Sequence, residues 1–221
     1  TAGALVGLLA IKPHLALLWP VLLALSGRWR AFAAATVSTI AFVVLAGTVF
    51  GFESYARFFE HLSASQEMIS GQRITTPAYA SLYASALGLG APQGVALALQ
   101  AASALAAVAA LCWIVLSTAR RPLDDGCRVQ GAALCATTLL ISPYLFFYDF
   151  TLLALGAALL GAPRDRFELA GAVLAWSAGL SIALGYLAPL PLCPLAAWLV
   201  LIAAMRRARS AGHRLAPAPP P

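Results

Sequence analysis

The chain has 221 residues, of which 62% are hydrophobic and only 10% are charged. Because soluble domains carry about 25% charged residues, this composition excludes an ordinary soluble fold and predicts that lipid solvates much of the surface. The net charge of +6 does not indicate a nucleic-acid partner, because the basic residues lie in short clusters between long apolar runs, as in loops that anchor helices to an anionic leaflet.

Apolar stretches long enough to cross a bilayer recur along the chain, since a crossing helix needs about 20 apolar residues. Seven stretches reach or approach that length: 4–25, 32–50, 94–117, 129–143, 148–162, 169–187 and 192–205. The run that ends at Leu160 counts as two spans because Ser142 and Pro143 interrupt it, and because two crossings keep the arginines that flank it on one side. The sequence therefore predicts an all-α, polytopic transmembrane bundle of about seven spans.

The basic residues indicate the orientation of this bundle. Most of the Lys and Arg residues lie in loops that share one side, namely Arg28, Arg30, Arg120, Arg121, Arg128, Arg164, Arg166, Arg206, Arg207, Arg209 and Arg214. The positive-inside rule makes that side cytoplasmic. We therefore predict a multi-pass protein of the cytoplasmic (inner) membrane whose basic, Pro-rich tail, residues 206–221, lies in the cytoplasm.

The longest segment between spans, residues 51–93, is then an outer loop. Apolar side chains recur near helical spacing from Glu53 to Ile69, with polar residues on the other faces, which predicts an amphipathic helix along the outer membrane surface. Ser70 and Gly71 end it. A second short helical element is predicted to begin near Thr75 and to run through Leu87.

Lys12 is the most informative single residue, because a lysine inside an apolar span is costly to insert. It lies about 13 Å into the span at the usual helical rise, and Pro13 after it is expected to kink the helix and free a backbone carbonyl. We interpret Lys12, with His14 beside it, as binding an anionic group such as a lipid phosphate. The alternative is a lysine that snorkels to the interface.

A second polar site is predicted at the turn between spans four and five, where Asp149 follows an aromatic run. This carboxylate can accept a proton, bind a sugar hydroxyl or pair with Lys12 or Arg73; alternatively it caps span five. Tyr144 and Tyr148 suit stacking on a sugar, and equally suit an interfacial aromatic belt. Arg73, on the outer loop, can meet a phosphate or simply be solvated.

No metal or cofactor site is predicted. The four cysteines form no CxxC pair, and no histidine lies at metal-ligand spacing from them. The sequence also contains no Walker A, GxSxG or HExxH motif and no GxGxxG that opens a helix after a strand. These absences argue against an active site of the soluble type.

The order of several short motifs resembles the C-terminal part of glycosyltransferase family 87, which includes phosphatidylinositol mannosyltransferases. The likeness spans about residues 1 to 205 and no one motif decides it. The motifs are the Lys12-Pro13 span ending in Trp19-Pro20, then Gly27-Arg28-Trp29-Arg30-Ala31, Phe52-Glu53-Ser54-Tyr55, Ala80-Ser81-Leu82, Gly90-Ala91-Pro92, Ala98-Leu99-Gln100-Ala101-Ala102 and Leu139 to Asp149.

The resemblance implies a GT-C fold and an inverting enzyme. Such an enzyme takes a hexosyl group, with mannosyl as one candidate, from a polyprenyl-phosphate sugar and transfers it to a lipid or glycan acceptor at the outer face of the cytoplasmic membrane. The expected catalytic base is an acidic residue of the first outer loop. The resemblance places that residue upstream of Thr1, so this chain is interpreted as a C-terminal fragment that lacks its catalytic base, with a contribution from Asp149 left open.

Two other functions stay open from the residues alone. Secondary transporters also use broken helices and charges at membrane depth, although the sequence shows no convincing internal repeat. A non-catalytic membrane subunit would tolerate substitution of Lys12 and Asp149.

Overall fold

The computed structural model describes residues 2–70, 80–119, 123–177 and 191–212, and the regular structure in those ranges is helical, without a β-strand. This confirms the predicted all-α class. The chain divides into two compact units, Thr1–Thr76 and Pro77–Pro221. We call them the first unit and the second unit.

The first unit contains five α-helices among its described residues. These are α1 (Ala2–Gly7), α2 (Pro13–Ala16), α3 (Trp19–Leu25), α4 (Trp29–Phe50) and α5 (Glu53–Ser70), with a 3₁₀ turn at Leu8–Ile11. The stretch predicted as one span over 4–25 is thus broken into pieces. The break falls at Lys12, whose backbone leaves helical geometry (φ −133°, ψ 79°), because Pro13 begins α2 and cannot donate a hydrogen bond to the preceding turn.

Small residues bring α1 and α4 into close contact. A Cβ atom added at Gly3 would lie 2.4 Å from the carbonyl oxygen of Ala31, and one at Gly7 would lie 1.9 Å from Oγ of Ser38. The hydroxyl of Ser38 donates to the carbonyl oxygen of Ala4 over 2.7 Å. This is the small-xxx-small packing of helices in membranes, where close backbone approach replaces the hydrophobic drive.

The second unit is built around α8. Its described helices are α6 (Leu82–Gly88), α7 (Gln93–Thr118), α8 (Leu123–Ile141), α9 (Thr151–Leu160), α10 (Arg166–Ser177) and α11 (Leu192–Gly212), with a 3₁₀ turn at Phe147–Phe150. Helix α8 packs against α7, α9 and α11. Its contact with α9 is antiparallel, since Gly131 faces Leu159 while Gly156 faces Cys135.

The antiparallel arrangement gives the second unit two ends. The ends of α9 and α11 and the start of α10 meet at one of them, where Arg207 contacts the carbonyl oxygen of Leu160; we call this the arginine end. At the other, α6 meets the segment 142–150 between α8 and α9, which we call the outer turn after the side of the membrane that the sequence predicts for it. Sequence analysis divides the apolar run 129–160 at Ser142 and Pro143, and α8 ends at Ile141.

Two helices in the described ranges are long and apolar enough to cross a bilayer: α4, with 22 residues, and α7, with 26. They overlie the predicted spans 32–50 and 94–117. The helices over the other predicted spans fall short of that length or apolarity, and the span predicted at 169–187 continues past Ser177 into residues outside the described ranges. The count of seven spans therefore stays a prediction.

Candidate functional site

A long apolar groove of about 730 Å³ runs through the first unit between α4 and the broken segment α1–α3, and α5 lines part of it. Its apolar walls include Val6, Ile11, Leu17, Leu23, Phe32, Ile40, Val43, Phe58 and Phe59. Four hydroxyl groups also line the groove, and each donates to a backbone carbonyl oxygen, from Thr36 to Phe32, Thr39 to Gly7, Ser54 to Gly51 and Tyr55 to Val43. The groove therefore offers apolar contact, as a hydrocarbon chain requires.

Lys12 lies at the helix break beside this groove. Its two neighbours in the chain, Ile11 and Pro13, both line the groove, and Lys12 itself is half-buried. His14 follows in the short helix α2 and is also half-buried. The break thus brings a cation to the border of an apolar surface. Arg73, the third predicted phosphate ligand, lies outside the described residues.

The outer turn holds Asp149 in the second unit. Leu145 and Phe150 anchor the turn, since they are fully buried, and Asp149 is only 4% exposed. A carboxylate oxygen of Asp149 accepts a hydrogen bond from the backbone N–H of Phe146 over 3.2 Å. Asp149 therefore stabilises the start of the 3₁₀ turn; the cap residue of α9 is Phe150, which makes no side-chain cap.

The two tyrosines lie on the same turn in different surroundings. The ring of Tyr144 meets the ring of Tyr83 edge to face, with centroids 6.2 Å apart. The ring of Tyr148 stacks on that of Phe146, with centroids 5.3 Å apart and planes at 5°, and Tyr148 is 47% exposed. The outer turn therefore brings together Tyr144, Tyr148 and Asp149, with Tyr148 the most accessible of the three.

Two residues that hold the outer turn were not among the site residues predicted from the sequence. The Ser81 hydroxyl donates to the carbonyl oxygen of Pro143 over 2.6 Å. The buried Gln100 amide donates to the carbonyl oxygen of Leu140 over 2.8 Å. Gln100 could have been found by the argument that singled out Lys12, because it is a polar residue inside an apolar span.

The family model described as "Glycosyltransferase family 87" matches residues 1–143 of the chain. The chain belongs to glycosyltransferase family 87. This confirms the family resemblance and makes the protein a glycosyltransferase of a family whose members are membrane enzymes. No curated protein and no solved structure matches the chain.

The family 87 match covers some of the predicted site residues and not others. Lys12, His14 and Arg73 lie within it, whereas it ends before Tyr144, Tyr148 and Asp149. Lys12 belongs to the first unit and Asp149 to the second. Their pairing across one cavity therefore stays a prediction.

The arginine end of this family 87 protein carries a second polar cluster. The guanidinium of Arg207 donates through Nε to a carboxylate oxygen of Glu168 over 3.1 Å, through Nη2 to the other, and to the carbonyl oxygens of Leu160 and Ala162. Both charged side chains are less than 10% exposed. One arginine thus ties the end of α9, the start of α10 and the last turns of α11 together.

The carboxylates of this cluster are held in their charged form. Burial works to raise the pKa of Glu168, but hydrogen bonds from Arg207 and from the backbone N–H of Arg164 outweigh it, so that this pKa lies below its usual value. Arg206 donates a hydrogen bond to Asp165, which lowers the pKa of Asp165. The cluster is therefore an ionised network at neutral pH.

Proposed function

We propose that this protein binds a polyprenyl-phosphate sugar and takes part in transferring its hexosyl group to a lipid or glycan acceptor at the outer face of the cytoplasmic membrane. The observation that carries the proposal is the apolar groove of the first unit with Lys12 at its border. The transfer of a glycosyl group in this proposal rests on the membership of the chain in family 87. A GT-C arrangement with a cytoplasmic C-terminus is part of the proposal.

The groove and Lys12 suit the two parts of such a donor. A polyprenyl chain is a flexible hydrocarbon that can lie against the apolar walls of the groove. Its binding there breaks no hydrogen bond, because the hydroxyl groups that line the groove already donate to backbone carbonyl oxygens. The phosphate then comes to the helix break, where the ammonium group of Lys12 makes a charge-assisted hydrogen bond to it. His14 is a second donor for the same group.

In an inverting transfer, a base removes the proton of the acceptor hydroxyl, the oxygen attacks the anomeric carbon, and the bond from that carbon to the phosphate oxygen breaks. Polyprenyl phosphate leaves with one more negative charge than the donor carried. Lys12 stabilises that charge as it develops, which favours the transition state over the bound donor. The family resemblance assigns the base to an acidic residue of another outer loop.

The outer turn suits the sugar. Helix α9 has 10 residues, about 15 Å at the usual rise, against about 30 Å for the hydrocarbon core. With Gly161 at the cytoplasmic surface, the outer turn lies below the outer surface of the bilayer, where Asp149 can accept from a sugar hydroxyl and Tyr148 can stack on a sugar ring. Arg73 is proposed as a further phosphate ligand.

Removing the Lys12 charge tests the catalytic part of the proposal. We expect Lys12→Ala in the full-length protein to lower kcat/KM for undecaprenyl-phosphate mannose or glucose by roughly tenfold to a hundredfold, since a hydrogen bond to a charged group contributes about 1.5–3 kcal/mol. Lys12→Arg should retain more activity than Lys12→Ala. The measurement is transfer of radiolabelled sugar in proteoliposomes, with Arg30→Ala, an exposed cation of α4, as the control. Equal turnover in wild type and Lys12→Ala would remove Lys12 from the mechanism.

Filling the groove tests the binding of the polyprenyl chain. Ala46 lines the groove, whereas Ala41 on the same helix is exposed and does not. We expect Ala46→Trp to raise KM for the polyprenyl-phosphate sugar by about tenfold, because an indole of this volume overpacks the site that the chain occupies. Ala41→Trp is the matched control and should leave KM within about twofold, as surface substitutions do. A KM unaffected by Ala46→Trp would place the chain elsewhere.

A further inference from the structure

Gln100 is a buried polar side chain that joins three helices, α6, α7 and α8, near the outer turn. It lies in the second turn of α7, a helix of otherwise mostly apolar residues, and is 5% exposed. Its Nε2 donates to the carbonyl oxygen of Leu140 over 2.8 Å, and its Oε1 accepts from the backbone N–H of Tyr83 over 3.1 Å. Burying an amide costs much less free energy when its polar atoms are hydrogen-bonded, as both ends of this one are.

Both partners of Gln100 are backbone groups at helix ends. Tyr83 lies in the first turn of α6 and Leu140 in the last turn of α8, where N–H and C=O groups have no partner within their own helix. The amide supplies the missing acceptor and the missing donor at once. Gln100 therefore fixes the start of α6 relative to the end of α8, which is where the outer turn begins.

Two further hydrogen bonds attach α6 to the turn itself. Ser81 is the N-cap of α6, since its hydroxyl accepts from the N–H of Ala84 while it donates to the carbonyl oxygen of Pro143. The N–H of Ala80 donates to the carbonyl oxygen of Leu145 over 2.9 Å. These two hydrogen bonds thus attach the first residues of the outer turn to the start of α6, whereas Asp149 holds its later residues through a hydrogen bond within the turn.

We propose that Gln100 is a positioning residue for glycosyl transfer: by holding α6 against the outer turn, it sets the direction from which Tyr148, the most accessible of the three predicted site residues of that turn, meets the sugar. The inference rests on the proposed role of the outer turn. Gln100 itself, enclosed between α6, α7 and α8, touches no substrate. If Gln100 only stabilised the bundle, its substitution would lower the amount of folded enzyme and leave the kcat and the KM of the folded molecules unchanged.

The second unit offers a matched control for this difference. Gln130 on α8 is also buried, at 2% exposure, and its Nε2 donates to the hydroxyl of Thr118 over 2.9 Å, close to the arginine end. Gln100→Met and Gln130→Met each remove one buried amide of the same size. They differ in the end of the bundle at which the amide is lost.

The first experiment compares turnover in the full-length protein with radiolabelled undecaprenyl-phosphate mannose and glucose. We expect Gln100→Met to lower kcat by about tenfold or more at nearly constant KM, because small misplacements of reacting groups cost such factors, while Gln130→Met lowers kcat far less at a similar unfolding temperature. Gln100→Glu should recover towards wild type as the pH falls, since only the protonated acid can donate to Leu140. Parallel losses in both Met variants would overturn the proposal.

The second experiment reads the position of the turn without catalysis. In a variant with Cys112, Cys127, Cys135 and Cys193 replaced by Ala, Tyr148→Cys is labelled with a membrane-impermeant maleimide. We expect Gln100→Met to change the labelling rate severalfold and Gln130→Met to leave it unchanged. An unchanged rate in Gln100→Met overturns the inference, whereas wild-type protein that transfers no sugar overturns the proposed function instead.

Discussion

The two ends of the second unit are held together by different chemistry. At the arginine end, Arg207 and Glu168 form a charged pair that also binds backbone carbonyl oxygens, and Arg206 pairs with Asp165 beside it. At the outer turn, the contacts between elements come from the neutral amide of Gln100 and the neutral hydroxyl of Ser81. Helix ends are thus joined by ions at the arginine end and by neutral groups at the outer turn, where the Asp149 carboxylate accepts a hydrogen bond within the turn itself.

The predicted orientation would account for this difference, because it places the arginine end in the cytoplasm and the outer turn below the outer surface of the bilayer. Removing an ion from water costs several kcal/mol. That cost is smaller where neighbouring charges stay hydrated, as do Arg206 and Asp165, which are 47% and 37% exposed. Neutral amides and hydroxyls cost far less to bury when they are hydrogen-bonded. The orientation itself, with the arginine end in the cytoplasm and the outer turn below the outer surface of the bilayer, stays a prediction.

The largest expected effect comes from breaking the charged end. Arg207→Met leaves the Glu168 carboxylate buried. Among the described hydrogen bonds, the one from the backbone N–H of Arg164 then remains to it. Removing one partner of a buried pair typically costs about 3–5 kcal/mol, so we expect a loss of that order in the free energy of unfolding. Thermal or denaturant unfolding in detergent micelles measures it.

The double variant Arg207→Met/Glu168→Met separates the charge from the packing. Because neither charge is left alone, we expect it to be more stable than Arg207→Met, with a residual loss from the uncapped carbonyl oxygens of Leu160 and Ala162. The single variant Glu168→Met completes the cycle. If the loss in the double variant equalled the sum of the losses in Arg207→Met and Glu168→Met, the ion-pair account would be wrong.

The sequence predicted the helices better than the contacts that join them. Hydrophobic periodicity predicted a surface helix over 53–69, and α5 runs over Glu53–Ser70. Proline chemistry predicted a kink after Lys12, and the chain breaks there. The 3₁₀ turn before the break could not be predicted, because its short apolar sequence fits an α-helix equally well.

The polar contacts between elements were out of reach for a different reason. Arg207 and Glu168 are separated by 39 residues in the chain, and the positive-inside rule treats Arg207 as one more cytoplasmic charge without assigning it a partner. For the outer turn, the sequence predicted that Tyr144, Tyr148 and Asp149 lie on a turn between two helices, and they do. It could not predict that Ser81, which is 62 residues away from Pro143, holds that segment.

A smaller and reversible effect of the same difference is expected from pH. Because the pKa of Glu168 is lower in the folded protein than its ordinary value of 4.5, its contribution to stability is complete above that value and is lost as the pH falls through the folded-state pKa. The pKa of Asp165 is also lowered, so its contribution is lost in the same direction.

Wild-type protein should therefore lose unfolding temperature on acidification below about pH 4.5. Arg207→Met/Glu168→Met should lose less, keeping the part due to Asp165. Gln100→Met, which leaves Glu168 and Asp165 in place, should keep the wild-type slope. If it flattened the slope as well, the assignment of the pH dependence to Glu168 and Asp165 would be wrong.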